Sequence, residues 1–127
     1  MRPRLAAAAF AAIAPLALSA QVPALDPAGL AQALKGGTWA VIEFGGPACV
    51  PCKRMQPVLA AVQARLGAKA VVRNVYLTEH PKVAGAHKVM VMPTQVVFAP
   101  GGREVLRHVG YWEQADFLAA LAKAGLE

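Results

Sequence analysis

Two cysteines separated by two residues, Cys49-Val50-Pro51-Cys52, stand where a run of β-formers meets a stretch of helical periodicity. That junction constrains the fold more than any other feature of the chain. Upstream, Thr38-Trp39-Ala40-Val41-Ile42-Glu43-Phe44 is short, apolar and rich in strand-forming residues, as a buried strand requires. Gly45-Gly46-Pro47 then breaks the chain. Downstream, Met55, Val58, Leu59, Val62 and Leu66 fall at helical spacing from about Val50 to Leu66. Pro57 lies inside that stretch and predicts a kink, because it removes one backbone donor and clashes with the preceding turn. The cysteines therefore occupy a helix's first turn, where free backbone N–H groups favour negative charge and stabilise a Cys49 thiolate. One helical turn brings the sulfurs close enough for a disulfide. Cys49, at the exposed end, reads as the attacking thiol. Cys52, one turn inside, reads as the resolving thiol that cleaves the mixed disulfide.

The remaining chain alternates helix and strand. Asp26-Pro27 predicts a helix start, with Asp as N-cap and Pro at the first helical position; the helix runs to about Leu34 and stops at Gly36-Gly37. Ala70 to Leu77 reads as a second buried strand, and Glu79 to Ala86 as a short helix with Thr78 as its cap. Thr94–Phe98 and Arg103–His108 flank the turn Pro100-Gly101-Gly102 and predict an antiparallel hairpin. A last helix, about Glu113 to Ala124, places Phe117, Leu118 and Leu121 on one face and stops at Gly125. Trp39, Phe44, Phe98 and Phe117 are expected in the core, and His80 and His108 on the surface. The order α-β-α-β-α-β-β-α gives an α/β fold, a central mixed sheet with helices on both faces.

The cysteine pair has competing readings. A purely structural disulfide would close a very short loop and add little stability. Structural zinc wants four ligands at matched spacing, and His80, His87 and His108 form no spaced pair. Cu(I) held by the cysteines with Met90 and Met92 is a further alternative. Covalent haem needs His directly after the second cysteine, where Lys53 stands. No metal ligand and no cofactor is assigned.

Residues 1–20 read as an address rather than as part of the fold. Arg2 and Arg4 precede an uncharged run from Leu5 to Leu18, and small residues close the segment at Ala17-Leu18-Ser19-Ala20. The fourteen residues of the run, at about 1.5 Å rise each, make roughly 21 Å of helix, short of a hydrocarbon core of about 30 Å. This is the layout of a secretory signal peptide, cleaved after Ser19 or Ala20, with a retained anchor as the alternative. The expected compartment is the bacterial periplasm, where disulfide chemistry is permitted. Without this segment the 13 basic residues fall to 11 against 7 acids, and the formal charge drops from +6 to +4. The basic residues are scattered, not striped with aromatics, so no nucleic-acid surface is expected. The 127 residues suffice for one domain, taken as residues 25–127, and 57% hydrophobic against 16% charged residues exclude a disordered tail.

From about Leu25 onward the chain resembles the thioredoxin-fold family. Glu43-Phe44 ends the strand before the motif, Cys49-Val50-Pro51-Cys52 follows with Lys53 and Met55, and Pro57 matches the family's helix-kinking proline. Met92-Pro93-Thr94 resembles the cis-proline loop, followed by Val96-Val97-Phe98, Gly101-Gly102 and Gly110. The resemblance implies a parallel βαβ half followed by an antiparallel ββα half. It implies a cis bond before Pro93 that exposes the Met92 backbone to an extended client segment, with Val50, Pro51, Met92 and Pro93 as the substrate surface. Glu43 takes the place of the family's buried Asp, which relays protons to the second cysteine. The lysine that often accompanies that acid aligns with Asn74, beside Arg73, and Ala48 replaces the usual Trp before Cys49. Pro51, as in reducing thioredoxins, implies a protein-disulfide reductase, with a disulfide oxidant as the alternative, and a monomer is the default for the fold. The stretch from Met92 to Gly110 is similar to the C-terminal domain of membrane thiol:disulfide interchange proteins. Its implied partners are client disulfides and a membrane thiol electron carrier, such as those that serve cytochrome c maturation.

Overall fold

The computed structural model describes residues 21–127; the expected leader, residues 1–20, lies outside them. Helix α1 (Pro27–Lys35) starts where Asp26 accepts a hydrogen bond from the Gly29 N–H at 2.7 Å and Pro27 presets the first helical residue. Strand β1 (Trp39–Gly45) leads into α2 (Val50–Leu66), which contains Pro57 and turns through a 3₁₀ segment (Gly67–Lys69) into β2 (Ala70–Tyr76). Helix α3 (Pro81–Ala86), the hairpin β3 (Thr94–Phe98) and β4 (Glu104–Val109), and α4 (Gln114–Lys123) complete the chain.

The short helix differs from the sequence expectation. It starts at Pro81 with His80 as its cap, not at Glu79 with Thr78. Glu79 and His80 instead donate their N–H groups to the Tyr76 carbonyl, closing a turn, and Pro81 is the first residue whose missing N–H costs the helix nothing.

The four strands lie in the order β2-β1-β3-β4. β1 and β2 are parallel, with Glu43 opposite Asn74. β3 is antiparallel to β1, with Glu43 opposite Gln95, and β4 is antiparallel to β3, with Gln95 opposite His108. This is the mixed sheet of the thioredoxin fold. Alternation along the strands splits the core in two. Val41, Val72 and Val97 face α2 and α4, packing with Met55, Leu59, Phe117 and Leu121. Ile42, Phe44, Val75, Val96 and Phe98 face the other way, towards Leu30 of α1 and Val83 of α3. Trp39 is only half-buried, at the margin of the first cluster. Among the described residues, no helix is long and apolar enough to cross a membrane.

Candidate active site

The end of β1 and the start of α2 carry the two sulfurs. Cys49 is the N-cap of α2 and Cys52 lies in its first turn, and the two form a disulfide. The Cys49 sulfur accepts a hydrogen bond from the Cys52 N–H at 3.3 Å, so a free donor of the helix end points at it. The sulfurs are not equivalent: Cys49 is half-buried, whereas Cys52 is 3% exposed. Gly45 makes this approach possible. A β-carbon there would stand 2.9 Å from the Cys52 sulfur and 3.6 Å from Glu43 Oε1, so strand and helix meet only because residue 45 has no side chain.

Glu43 lies beneath the disulfide at 1% exposure. Burial pushes its carboxyl up from 4.5 to about 8, opposed by the hydrogen bond from Gln95. Gln95 Nε2 donates to Glu43 Oε2 at 3.2 Å, and Gln56 Nε2 approaches Oε1 at 3.4 Å. Gln56 also donates to the Cys52 carbonyl and exchanges hydrogen bonds with Asn74, whose Nδ2 reaches the Val22 carbonyl. No cation accompanies the carboxyl from β2: Asn74 is neutral, and the Arg73 guanidinium is engaged by Gln63 and the Val72 carbonyl. A cavity of about 30 Å³ is bordered by both Glu43 and Cys52, together with Gly45, Lys53, Gln56 and Tyr76. That is room for about one water molecule.

The Met92–Pro93 bond is cis, and the Pro93 carbonyl accepts from the Gly110 N–H at 2.8 Å. Pro93 is buried, Pro51 is half-buried, and Val50 and Met92 are exposed. Val50, Met90, Val91, Met92 and Val109 are the large apolar side chains left exposed among the described residues. The Met92 sulfur lies 3.5 Å from a β-carbon placed on Gly46, which brings this apolar loop over the β1–α2 turn. Among the described residues, no group of three or more His, Cys, Asp or Glu side chains could hold a metal ion.

Three residues of the site escape a reading by motif. Gln56 and Gln95 are ordinary polar letters in the sequence, although a Gln inside the otherwise apolar strand Thr94–Phe98 is a signal of a buried polar contact. His108, expected on the surface, is half-buried instead. Its ring stacks on Trp112 with centroids 4.2 Å apart and its Nδ1 lies 3.0 Å from Gln95 Oε1.

Comparison with known proteins agrees with this geometry. The thioredoxin family model matches residues 23–123. A thioredoxin of Alicyclobacillus acidocaldarius subsp. acidocaldarius is 31% identical over 98 residues, covering 77% of this chain and 92% of its own. A Staphylococcus aureus thioredoxin is 31% identical over 83 residues, covering 65% of this chain and 79% of its own. Among solved structures, chloroplastic thioredoxin z superimposes with a TM-score of 0.75 at 19% identity, covering 84% of this chain and 96% of its own. A chain from a study of thiol resolution in yeast mitochondrial 1-Cys peroxiredoxin via glutathione/thioredoxin systems gives 0.69 at 21% identity, covering 80% and 94%. With a cysteine pair at a helix N-terminus, a cis-proline loop and a family match over nearly all described residues, the chain belongs to the thioredoxin family and is a thiol oxidoreductase whose pair is Cys49 and Cys52.

Proposed function

We propose that the protein is a periplasmic protein-disulfide reductase, recharged by a membrane thiol electron carrier. The observation that carries the reading is the inequality of the two sulfurs, one reachable at a helix N-terminus and one buried beside a basic carboxylate. In the dithiol form, the Cys49 thiolate attacks a client disulfide, breaks its S–S bond and releases one client thiolate. Cys52 gives its proton to Glu43, through the small cavity they share, and attacks the Cys49 sulfur. The second client thiolate leaves, and two electrons have passed from the protein to the client. A carboxylate whose pKa stands near 8 is a far better acceptor for a thiol proton than an exposed glutamate. Val50, Pro51, Met92 and Pro93 form the surface on which the client segment lies, and the exposed apolar side chains there support that assignment.

Two features support the finer reading. The basic, apolar, small-residue order of residues 1–20 supports export. Pro51 within the motif supports the reducing direction, as in reducing thioredoxins. A reductase in an oxidising compartment has no soluble thiol buffer to draw on, so its electrons must come across the membrane.

The deciding measurement is the equilibrium potential of the Cys49–Cys52 pair against glutathione and dithiothreitol. A value near thioredoxin's, about −270 mV, is expected; a value near about −120 mV would make the protein an oxidant. In parallel, Cys52→Ser should accumulate client mixed disulfides that dithiothreitol releases, and Cys49→Ser should accumulate none. Equal trapping by both variants would overturn the assignment of attacking and resolving thiols.

A further inference from the structure

One row of side chains crosses the whole sheet beneath the disulfide. Asn74 on β2, Glu43 on β1, Gln95 on β3 and His108 on β4 are opposite one another in register. We infer that His108 is a positioning residue for the buried carboxyl: its Nδ1–H holds the Gln95 amide in the orientation that donates to Glu43. The edge strand β4 thereby sets how readily Glu43 releases its proton. The functional consequence rests on the reading of Glu43 as the acceptor for the Cys52 proton.

Hydrogen-bond accounting fixes each orientation. Gln95 Nε2 lies 3.2 Å from Glu43 Oε2 and 3.2 Å from the Gly110 carbonyl. A carbonyl only accepts, so the amide nitrogen, with its two hydrogens, faces both oxygens. Gln95 Oε1 therefore faces His108 Nδ1, 3.0 Å away. An amide oxygen only accepts, so Nδ1 carries the hydrogen, and a neutral His108 is the Nδ1–H tautomer. The ring is held in place by the stack His108–Trp112–Phe117, with both centroid separations 4.2 Å. Trp112 is itself tied down, its backbone N–H donating to the Met55 sulfur at 3.2 Å. Without the His108 donor, Gln95 Oε1 is buried and unpaired, so the amide loosens and its bond to the carboxylate weakens.

The control acts through a hydrogen bond, not through charge. Burial lowers the His108 pKa, opposed by the Gly110 carbonyl, so the ring is neutral where Glu43 titrates, near pH 8. The other groups around the carboxyl are Asn74 and Tyr76 of β2, Cys52, Lys53 and Gln56 of α2, and Gln21. Of these Lys53 is the one basic side chain, and it is exposed. On its own side, His108 meets Gln95, the Gly110 carbonyl and Trp112, with the exposed Glu113, the N-cap of α4, next to Trp112.

The test is the Glu43 titration followed by carboxyl ¹³C NMR in the oxidised protein, where neither sulfur titrates. His108→Leu should raise the midpoint by at least about half a pH unit, a change in proton affinity of about threefold. His108→Asn, which restores an N–H donor on the same side-chain atom position, should bring it back towards wild type. In a Gln95→Leu background, His108→Leu should move nothing further. An unmoved midpoint in His108→Leu, or a shift that persists without Gln95, overturns the inference. The unaltered chain offers a second test free of any folding defect: ¹⁵N NMR should find the neutral His108 ring protonated at Nδ1, and a proton on Nε2 alone overturns it. Failure of the relay reading has a different signature. Glu43→Gln would then leave the pH dependence of thiol exchange unchanged, while the His108 effect on the Glu43 midpoint stands.

Discussion

Glu43 opposes folding once it is ionised. Burial holds its pKa at about 8 in the folded protein against the ordinary 4.5, so between those limits the folded state holds more protons than the unfolded chain. The associated stability is fully present below pH 4.5 and is lost as pH rises through 8. The unfolding free energy of the oxidised protein should therefore fall between pH 5 and pH 8. Glu43→Gln keeps the shape, removes the charge and should flatten that slope, with a gain at pH 8 on the order of 3 kcal/mol. Urea denaturation at the two pH values checks this, and a slope that survives the substitution would place its origin elsewhere. The same variant should slow thiol exchange at neutral pH if Glu43 accepts the Cys52 proton. That a carboxyl stands at position 43 is legible in the sequence. Its partners are not, because Gln56 and Gln95 lie 13 and 52 positions away and meet it only when helix and strands pack, while His108, 65 positions away, reaches it only through Gln95.

At the scale of elements, the β1–α2 junction is the most constrained part of the molecule. Gly45→Ala places a methyl group 2.9 Å from a buried sulfur that belongs to a disulfide and cannot swing aside. The substitution should destabilise the oxidised protein by about 1–3 kcal/mol, the usual cost of overpacking. Denaturation of the oxidised variant measures it, and an unchanged midpoint would show that β1 and α2 separate freely. The bounds of α1, β1, α2 and β3 were readable because caps, glycines and periodicity agreed there. The start of α3 was not, since Thr78 suits a cap locally, yet the Tyr76 carbonyl captures the next N–H groups and Pro81 begins the helix. The contacts of His108 are hidden for a related reason. A histidine on an edge strand reads as a surface residue, and only the fold of the β4–α4 connection lays Trp112 against its ring.

At the scale of the whole molecule, one sheet separates two apolar clusters. Leu30 belongs to the α1–α3 side and Leu121 to the α2–α4 side. Leu30→Ala and Leu121→Ala should each cost about 2–5 kcal/mol. With no shared cluster, their effects should add to within about 0.5 kcal/mol, whereas strong coupling would mean that the sheet transmits packing changes between its faces. The sequence by itself determined the order of elements, the α/β class and the cysteine pair at a helix start, because these depend on local periodicity, caps and short spacings. The tertiary structure alone decided which groups surround the Glu43 carboxyl, and that a single amide, Gln95, joins it to His108. Those properties belong to the pairing of strands far apart in the chain, and no local pattern encodes that register.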